Sequence, residues 1–166
     1  MYALSIAAIG IVTLVVIRFS FGVYVNTSSS VDGTLFYSIP YEQGSPDQYV
    51  VLCPDHTFSS KYNLIDYTRD AGNCGGSIPL LKRIIAYEYD YLVVNNAGIS
   101  VNEADIPGTS PKPLSSANTQ LQPFNYRGLV PSGYLAVIGD TADSFDSRYF
   151  GLVKESWIIS AANIVF

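Results

Sequence analysis

Histidine is nearly missing: His56 is the single imidazole in 166 residues. Zinc sites built on imidazole, and triads in which histidine takes the nucleophile's proton, are therefore short of ligands and bases. Basic clusters are missing too. Nine Lys and Arg face fourteen Asp and Glu, for a net charge of −5. Displacing counterions from a phosphate backbone needs several gathered cations, so nucleic acid is excluded as a partner. Charge of either sign is scarce, at 14% of residues, while 48% are hydrophobic and the mean hydropathy is +0.22. No internal repeat or heptad is visible. Cysteine is limited to Cys53 and Cys74. Two readings fit that pair. One is a disulfide formed in an oxidising compartment, which would stabilise the fold by about 3 kcal/mol. The other is two unrelated buried thiols.

What the chain does have is an apolar start. Residues 1–17, MYALSIAAIGIVTLVVI, contain no charged side chain; Arg18 interrupts, and FSFGVYV continues the run to Val25. A helix over residues 2–23 would reach about 33 Å, enough for a bilayer core, with Arg18 near one end free to snorkel to the interface. A cleaved signal peptide would show a basic stretch ahead of the apolar run and an A-x-A site after it, and neither is present. We read residues 1–25 as an uncleaved membrane anchor and residues 26–166 as the domain it tethers. With no Lys or Arg ahead of it, charge does not set the anchor's orientation.

Beyond the anchor, FYSI, YVVLC, LLKRIIAYEY, YLVVNN, GISV, GYLAVIG and WIISAANIVF are rich in Val, Ile, Tyr and Leu, which predicts strands. YVVLC and YLVVNN are short and apolar, as strands buried on both faces are. QGSPD, CPDH, DAGNCGG, NNAG, IPGTSPKP and VPSG punctuate them as turns. A weakly periodic helix fits around residues 57–70, and Pro107 to Leu129 reads as a long surface excursion. The expected fold is mostly β.

The stretch NTSSSVDGTL, residues 26–35, looks at first like a linker, yet it runs straight into a strand. One of its hydroxyls becomes a nucleophile only if a base removes its proton. His56 sits in the polar loop CPDHTF and reads as a surface residue. The other base is a lysine made neutral by burial, which disfavours the ammonium form. Lys61 and Lys112 lie in polar loops, and Lys154 has a glutamate beside it. Lys82 alone sits in an apolar strand, IPLLKRIIAY, where period-2 alternation sends Lys82 and Arg83 to opposite faces.

SSSVDGTL resembles the nucleophile box of the type I signal peptidases, Ser-x-Ser-Met-x-Pro-Thr-Leu, with Ser28, Ser30, Val31, Thr34 and Leu35 in the matching places. PLLKRIIA is similar to that family's lysine box and GDTADSFDSRYFG to its C-terminal box. VLCP, NCGGSIPLLKR and SFDSRYFG look closer still to the TraF-type peptidases of bacterial conjugation, which mature pilin precursors. The resemblance spans residues 24–160, in the right order, and it implies a signal-peptidase-like β domain. It further implies that Ser30 is the nucleophile and Lys82 its general base, with the Ser28 hydroxyl and the Ser30 N–H as oxyanion hole. Ser144 would orient the lysine, Asp146 and Arg148 would pair to hold the C-terminal box, and Gly139 and Asp140 would shape the turn entering it. Ser29 and Asp32 read as turn residues. No metal or cofactor is called for.

Three departures stand out. Gly33 replaces the family's proline, which would loosen the turn; Tyr89-Asp90 stands for Gly-Asp; Ala142 occupies a position often held by arginine. The implied partners are a pilin or other membrane-inserted precursor, the bacterial inner membrane and components of a conjugation or type IV secretion system, with the domain in the periplasm. Cyclisation of the pilin is a further implied outcome. A general signal peptidase and a non-catalytic assembly component remain alternatives; the second would predict a damaged dyad, and Ser30, Lys82 and Ser144 are all present. Ser30 lies at most roughly 25 Å along the chain from Val23, close to the membrane surface on this reading.

Overall fold

Runs of β-branched and aromatic residues separated by Gly, Pro and Asn do form strands, and among the described residues every strand pairing is antiparallel. The computed structural model describes residues 22–26, 28–45, 47–65, 74–112, 115–116 and 119–165. Thirteen strands are present among them, and three helical segments, none longer than six residues. The fold is mostly β, as expected.

The main sheet has seven strands. They are β1 (Val23–Val25), β2 (Leu35–Ile39), β3 (Tyr49–Leu52), β4 (Leu80–Ala86), β11 (Tyr134–Ile138), β12 (Val153–Lys154) and β13 (Ile158–Ile164). Their order is β1-β2-β13-β3-β4-β11-β12. A second sheet, in the order β10-β5-β6-β7, comprises β5 (Tyr91–Asn95), β6 (Gly98–Val101), β7 (Ala104–Ile106) and β10 (Tyr126–Leu129). Ser115–Ser116 (β8) and Thr119–Gln120 (β9) pair as a small hairpin.

Several expectations change in detail. The anchor was expected to run through residue 25, but Val23–Val25 pair with Leu35–Tyr37 in the sheet. The Val-Tyr-Val alternation suits a strand, so the β domain begins at or before Gly22. The anchor's remaining residues, 1–21, lie outside the described residues; no helix among the described residues is long and apolar enough to cross a membrane. The helix near residues 57–70 is one short helix, His56–Lys61, capped by the Asp55 side chain on the Phe58 N–H; residues 66–70 lie outside the described residues. In β3, Val50, Val51 and Leu52 are all buried, as a two-sided strand requires, whereas β5 alternates, with only Leu92 and Val94 buried. The excursion ends sooner than expected, because Tyr126–Leu129 pair with β5.

Two clusters position the site. Val50, Leu52, Ile84, Leu135, Val137, Phe150 and Val153 form a core between β3, β4, β11 and the turn Ser147–Phe150, with Phe58, Phe145 and Trp157 packed on it. Val31, Phe36, Val51 and Ala162 form a smaller cluster under the serine-rich turn.

Candidate active site

The serine-rich stretch is the loop of the β1–β2 hairpin. Val31, 3% exposed, draws the chain down onto Phe36, Val51 and Ala162 and leaves the serines above it. Asn26 organises the rest. Its amide Nδ2 donates to the carbonyls of Val31 (2.9 Å) and Gly33 (3.1 Å), and its Oδ1 accepts from the Ser28 N–H and the Ser28 hydroxyl, each at 3.0 Å. The Ser30 N–H points to Ser28 Oγ at 3.4 Å, so both donors expected for an oxyanion hole lie in one short turn. Ser28 is exposed and Ser30 half-buried. Gly33 does not loosen the turn. Its φ of +114° is closed to proline, and a Cβ there would meet Ile164 Cγ2 at 2.9 Å and the Phe36 ring at 3.3 Å.

β4 alternates cleanly. Lys82 points inward with Ile84 and Ala86 and is 3% exposed, while Arg83 points outward and is half-buried. The Lys82 Nζ donates to Ser144 Oγ at 3.1 Å. Burial pushes its amine down to about 8 from 10.5, with Arg148 acting in the same direction and Asp146 and Asp140 partly opposing.

The third part is the loop running from the end of β11 into Ser147–Phe150. A Cβ at Gly139 would collide with both Ser144 Oγ and the Ser30 carbonyl oxygen. Both groups crowd the place where that Cβ would sit, so only glycine lets the loop pass between them. The Asp140 N–H donates to that Ser30 carbonyl at 2.8 Å. The Asp140 carboxylate accepts from the Asp32 N–H at 3.0 Å and the Tyr49 hydroxyl at 2.9 Å, and faces Arg83 Nε at 3.4 Å. Asp140 is thus more than a turn residue: one carboxylate joins the serine turn, β3 and β4. Burial and that hydrogen bond push the Tyr49 hydroxyl up to about 12.

Asp146 and Arg148 are 0% and 1% exposed and form a two-pronged pair, Nε to Oδ1 at 2.8 Å and Nη2 to Oδ2 at 2.6 Å. The same guanidinium donates to the carbonyls of Thr141, Ala142 and Ser144, and Asp146 Oδ2 accepts the Gly139 N–H at 3.0 Å. Burial pulls the guanidinium's pKa down, but the Asp146 bond and charge outweigh it and raise the pKa. Such a pair fixes backbone geometry more than it adds stability.

The structure thus gathers Ser28, Ser30, Lys82, Gly139, Asp140, Ser144, Asp146 and Arg148 around one point where three separate segments meet. Cys53 and Cys74 are bonded to each other, just past the end of β3 and outside that cluster. His56 is exposed at the start of its helix. Lys61, Lys112 and Lys154 are exposed, Lys112 beside Asp143 and Lys154 beside Asp55. Sequence reasoning passed over Asn26, Tyr49 and Arg83. An Asn two residues ahead of a serine in a polar turn is the usual signature of an Asx turn, so Asn26 left a signal; Tyr49 left none. Among the described residues, no group of three or more His, Cys, Asp or Glu side chains is placed to hold a metal.

Comparison with known proteins gives the family. The family model described as "Signal peptidase, peptidase S26" matches residues 1–166. The plasmid transfer protein TraF of Escherichia coli is 30% identical over 163 residues, covering 92% of this chain and 87% of its own. The conjugal transfer protein TraF of Agrobacterium fabrum is 29% identical over 118 residues, covering 70% and 66%. A solved signal peptidase I from Enterococcus faecalis overlays with a TM-score of 0.42 at 18% identity, over 72% of this chain and 96% of that one. With its whole length matched by the family and its TraF relatives aligned along most of it, the chain belongs to the signal peptidases of the peptidase S26 family and is of the TraF type.

Proposed function

We propose that the chain is a membrane-anchored serine endopeptidase in which Ser30 and Lys82 form the catalytic dyad. The observation that carries this reading is a buried Lys82 amine, biased toward its neutral form and held by Ser144 beside the serine turn. Ser30 Oγ attacks the scissile carbonyl and passes its proton to Lys82 Nζ. The Ser30 N–H and the Ser28 hydroxyl take the negative charge, a donor of this kind being worth about 3–4 kcal/mol in the barrier. For this, Ser28 turns its hydroxyl away from Asn26. Collapse expels the amine, which takes the proton from Lys82. Water then attacks the Ser30 ester, giving Lys82 a proton that returns to Ser30 Oγ as the carboxylic acid leaves and ionises to solvent.

The substrate is a pilin or another membrane-inserted precursor of a conjugation system, a reading supported by the TraF names of the relatives. Residues ahead of β1 form the anchor in the bacterial inner membrane, and the disulfide favours an oxidising periplasm for the domain. The test is the intact mass of a candidate pilin co-expressed with wild-type protein or Ser30→Ala. Trimming by wild type alone is expected, and a product one water lighter than the trimmed linear peptide would show cyclisation by the substrate's own amino terminus. Identical masses with both proteins, for the pilin and for a generic secretory precursor, would sink the reading.

A further inference from the structure

Several described residues tie down the excursion between β7 and β10. Near its start, Thr109 is 4% exposed; its Oγ1 donates to the Ile106 carbonyl at 2.7 Å and accepts the Ile99 N–H at 2.9 Å, fixing it to the second sheet. The chain then reaches Lys112, whose backbone is held at both polar atoms by one side chain: the Tyr149 hydroxyl accepts the Lys112 N–H and donates to the Lys112 carbonyl, each at 2.9 Å. Before β10 it returns to the same helical turn, where the Phe124 N–H donates to the Arg148 carbonyl at 2.8 Å. The Phe124 ring lies so close over Gly151 that a Cβ there would meet it at 2.7 Å.

Tyr149 is 5% exposed and follows Arg148, whose guanidinium holds the carbonyls of Thr141, Ala142 and Ser144. Ser144 is the group on Lys82 Nζ. The side-chain ion pair between Lys112 and Asp143 is exposed and adds little, whereas the Tyr149 clamp on the Lys112 backbone is partly buried. The excursion therefore braces the loop that carries Ser144.

We propose that Tyr149 is a positioning residue: by clamping the Lys112 backbone it turns residues 107–112 into a strap that keeps Ser144 seated on the Lys82 amine. The inference rests on the dyad proposed above. The charged groups acting on Lys82 are Asp146, Arg148 and Asp140. The first two belong to the segment that Tyr149 steadies, and Asp140 begins it. Removing the Tyr149 hydroxyl lets the segment shift and water reach the amine, which weakens the desolvation that holds Lys82 low.

The experiment is Tyr149→Phe in the full chain, with lysines labelled by 13C. The chain has four lysines, at 61, 82, 112 and 154, so Lys82 can be titrated on its own by NMR. Its midpoint is expected to rise by half a unit or more, lowering the neutral fraction about threefold at a pH below both values, while the melting temperature stays near wild type. Lys112→Ala keeps the backbone atoms that Tyr149 holds and is expected to leave the Lys82 midpoint in place. A Lys82 midpoint unmoved in Tyr149→Phe, or moved equally by Lys112→Ala, overturns the inference. Labelling of Ser30 by a serine-directed acylating probe is read in parallel. If wild type shows a low Lys82 midpoint that Tyr149→Phe raises, yet Ser30 is never labelled, the positioning role stands and the peptidase reading falls.

Discussion

Lys82 enters the folded state carrying a desolvation cost that the unfolded chain does not have. Its folded value is about 8 against 10.5 when solvated, so between those two values the unfolded chain binds the extra proton and stability rises with pH. The cost is present in full below pH 8 and is relieved as the pH climbs through 10.5; a gap of that size corresponds to about 3 kcal/mol. Lys82→Met keeps the length of the side chain and drops the charge. It is expected to abolish Ser30 acylation, to stabilise the fold at pH 7 by up to about 3 kcal/mol, and to flatten the rise in stability above pH 8 expected for wild type. Urea unfolding at pH 7 and pH 9.5 measures both. A less stable Lys82→Met at pH 7 would contradict the account of this lysine.

The loop from Gly139 to Phe150 depends on one ion pair. Asp146→Asn leaves Arg148 buried without its countercharge and is expected to cost about 3–5 kcal/mol. The double variant Asp146→Asn with Arg148→Met removes the stranded charge and should recover part of that loss in urea melts. This element was legible through the resemblance of GDTADSFDSRYFG to the family's C-terminal box, and the contacts of Asp146 and Arg148 lie within seven residues along the chain. β4 was legible too, since alternation alone separates Lys82 from Arg83. The serine turn was legible only in part. Its hydroxyls were evident, but the Asp140 carboxylate that holds it is 108 positions from the Asp32 N–H and 91 from the Tyr49 hydroxyl, and pairings that distant leave no periodic trace. Gly33 was misread for the same reason: the Ile164 side chain that makes glycine necessary comes from the other end of the chain. The excursion reads only as surface because polar, proline-bearing sequence does not reveal a tyrosine clamped to its backbone.

On the scale of the whole molecule, the Cys53–Cys74 bond ties the end of β3 to the approach to β4, at a Cα separation of 5.1 Å. Replacing both cysteines by serine reopens that loop, which costs about 3 kcal/mol in the chain-entropy account and lowers the melting temperature by roughly 6–12 °C for a chain of this size. Ser30 labelling at 25 °C should persist, because neither sulfur touches the cluster around Lys82; loss of labelling in a variant that is still folded would tie the bond to the site itself. The placement of β1 has a mechanical meaning as well. It is the outermost strand of the seven, bonded to β2 alone, and the serine turn is the bend that follows it. A pull applied at Val23 along the strand axis loads the bonds of β1 to β2 together in shear instead of unzipping them one by one. The Ser30 turn is sheltered behind a strain relief, as a cable's solder joint is by the clamp where the cable enters its housing.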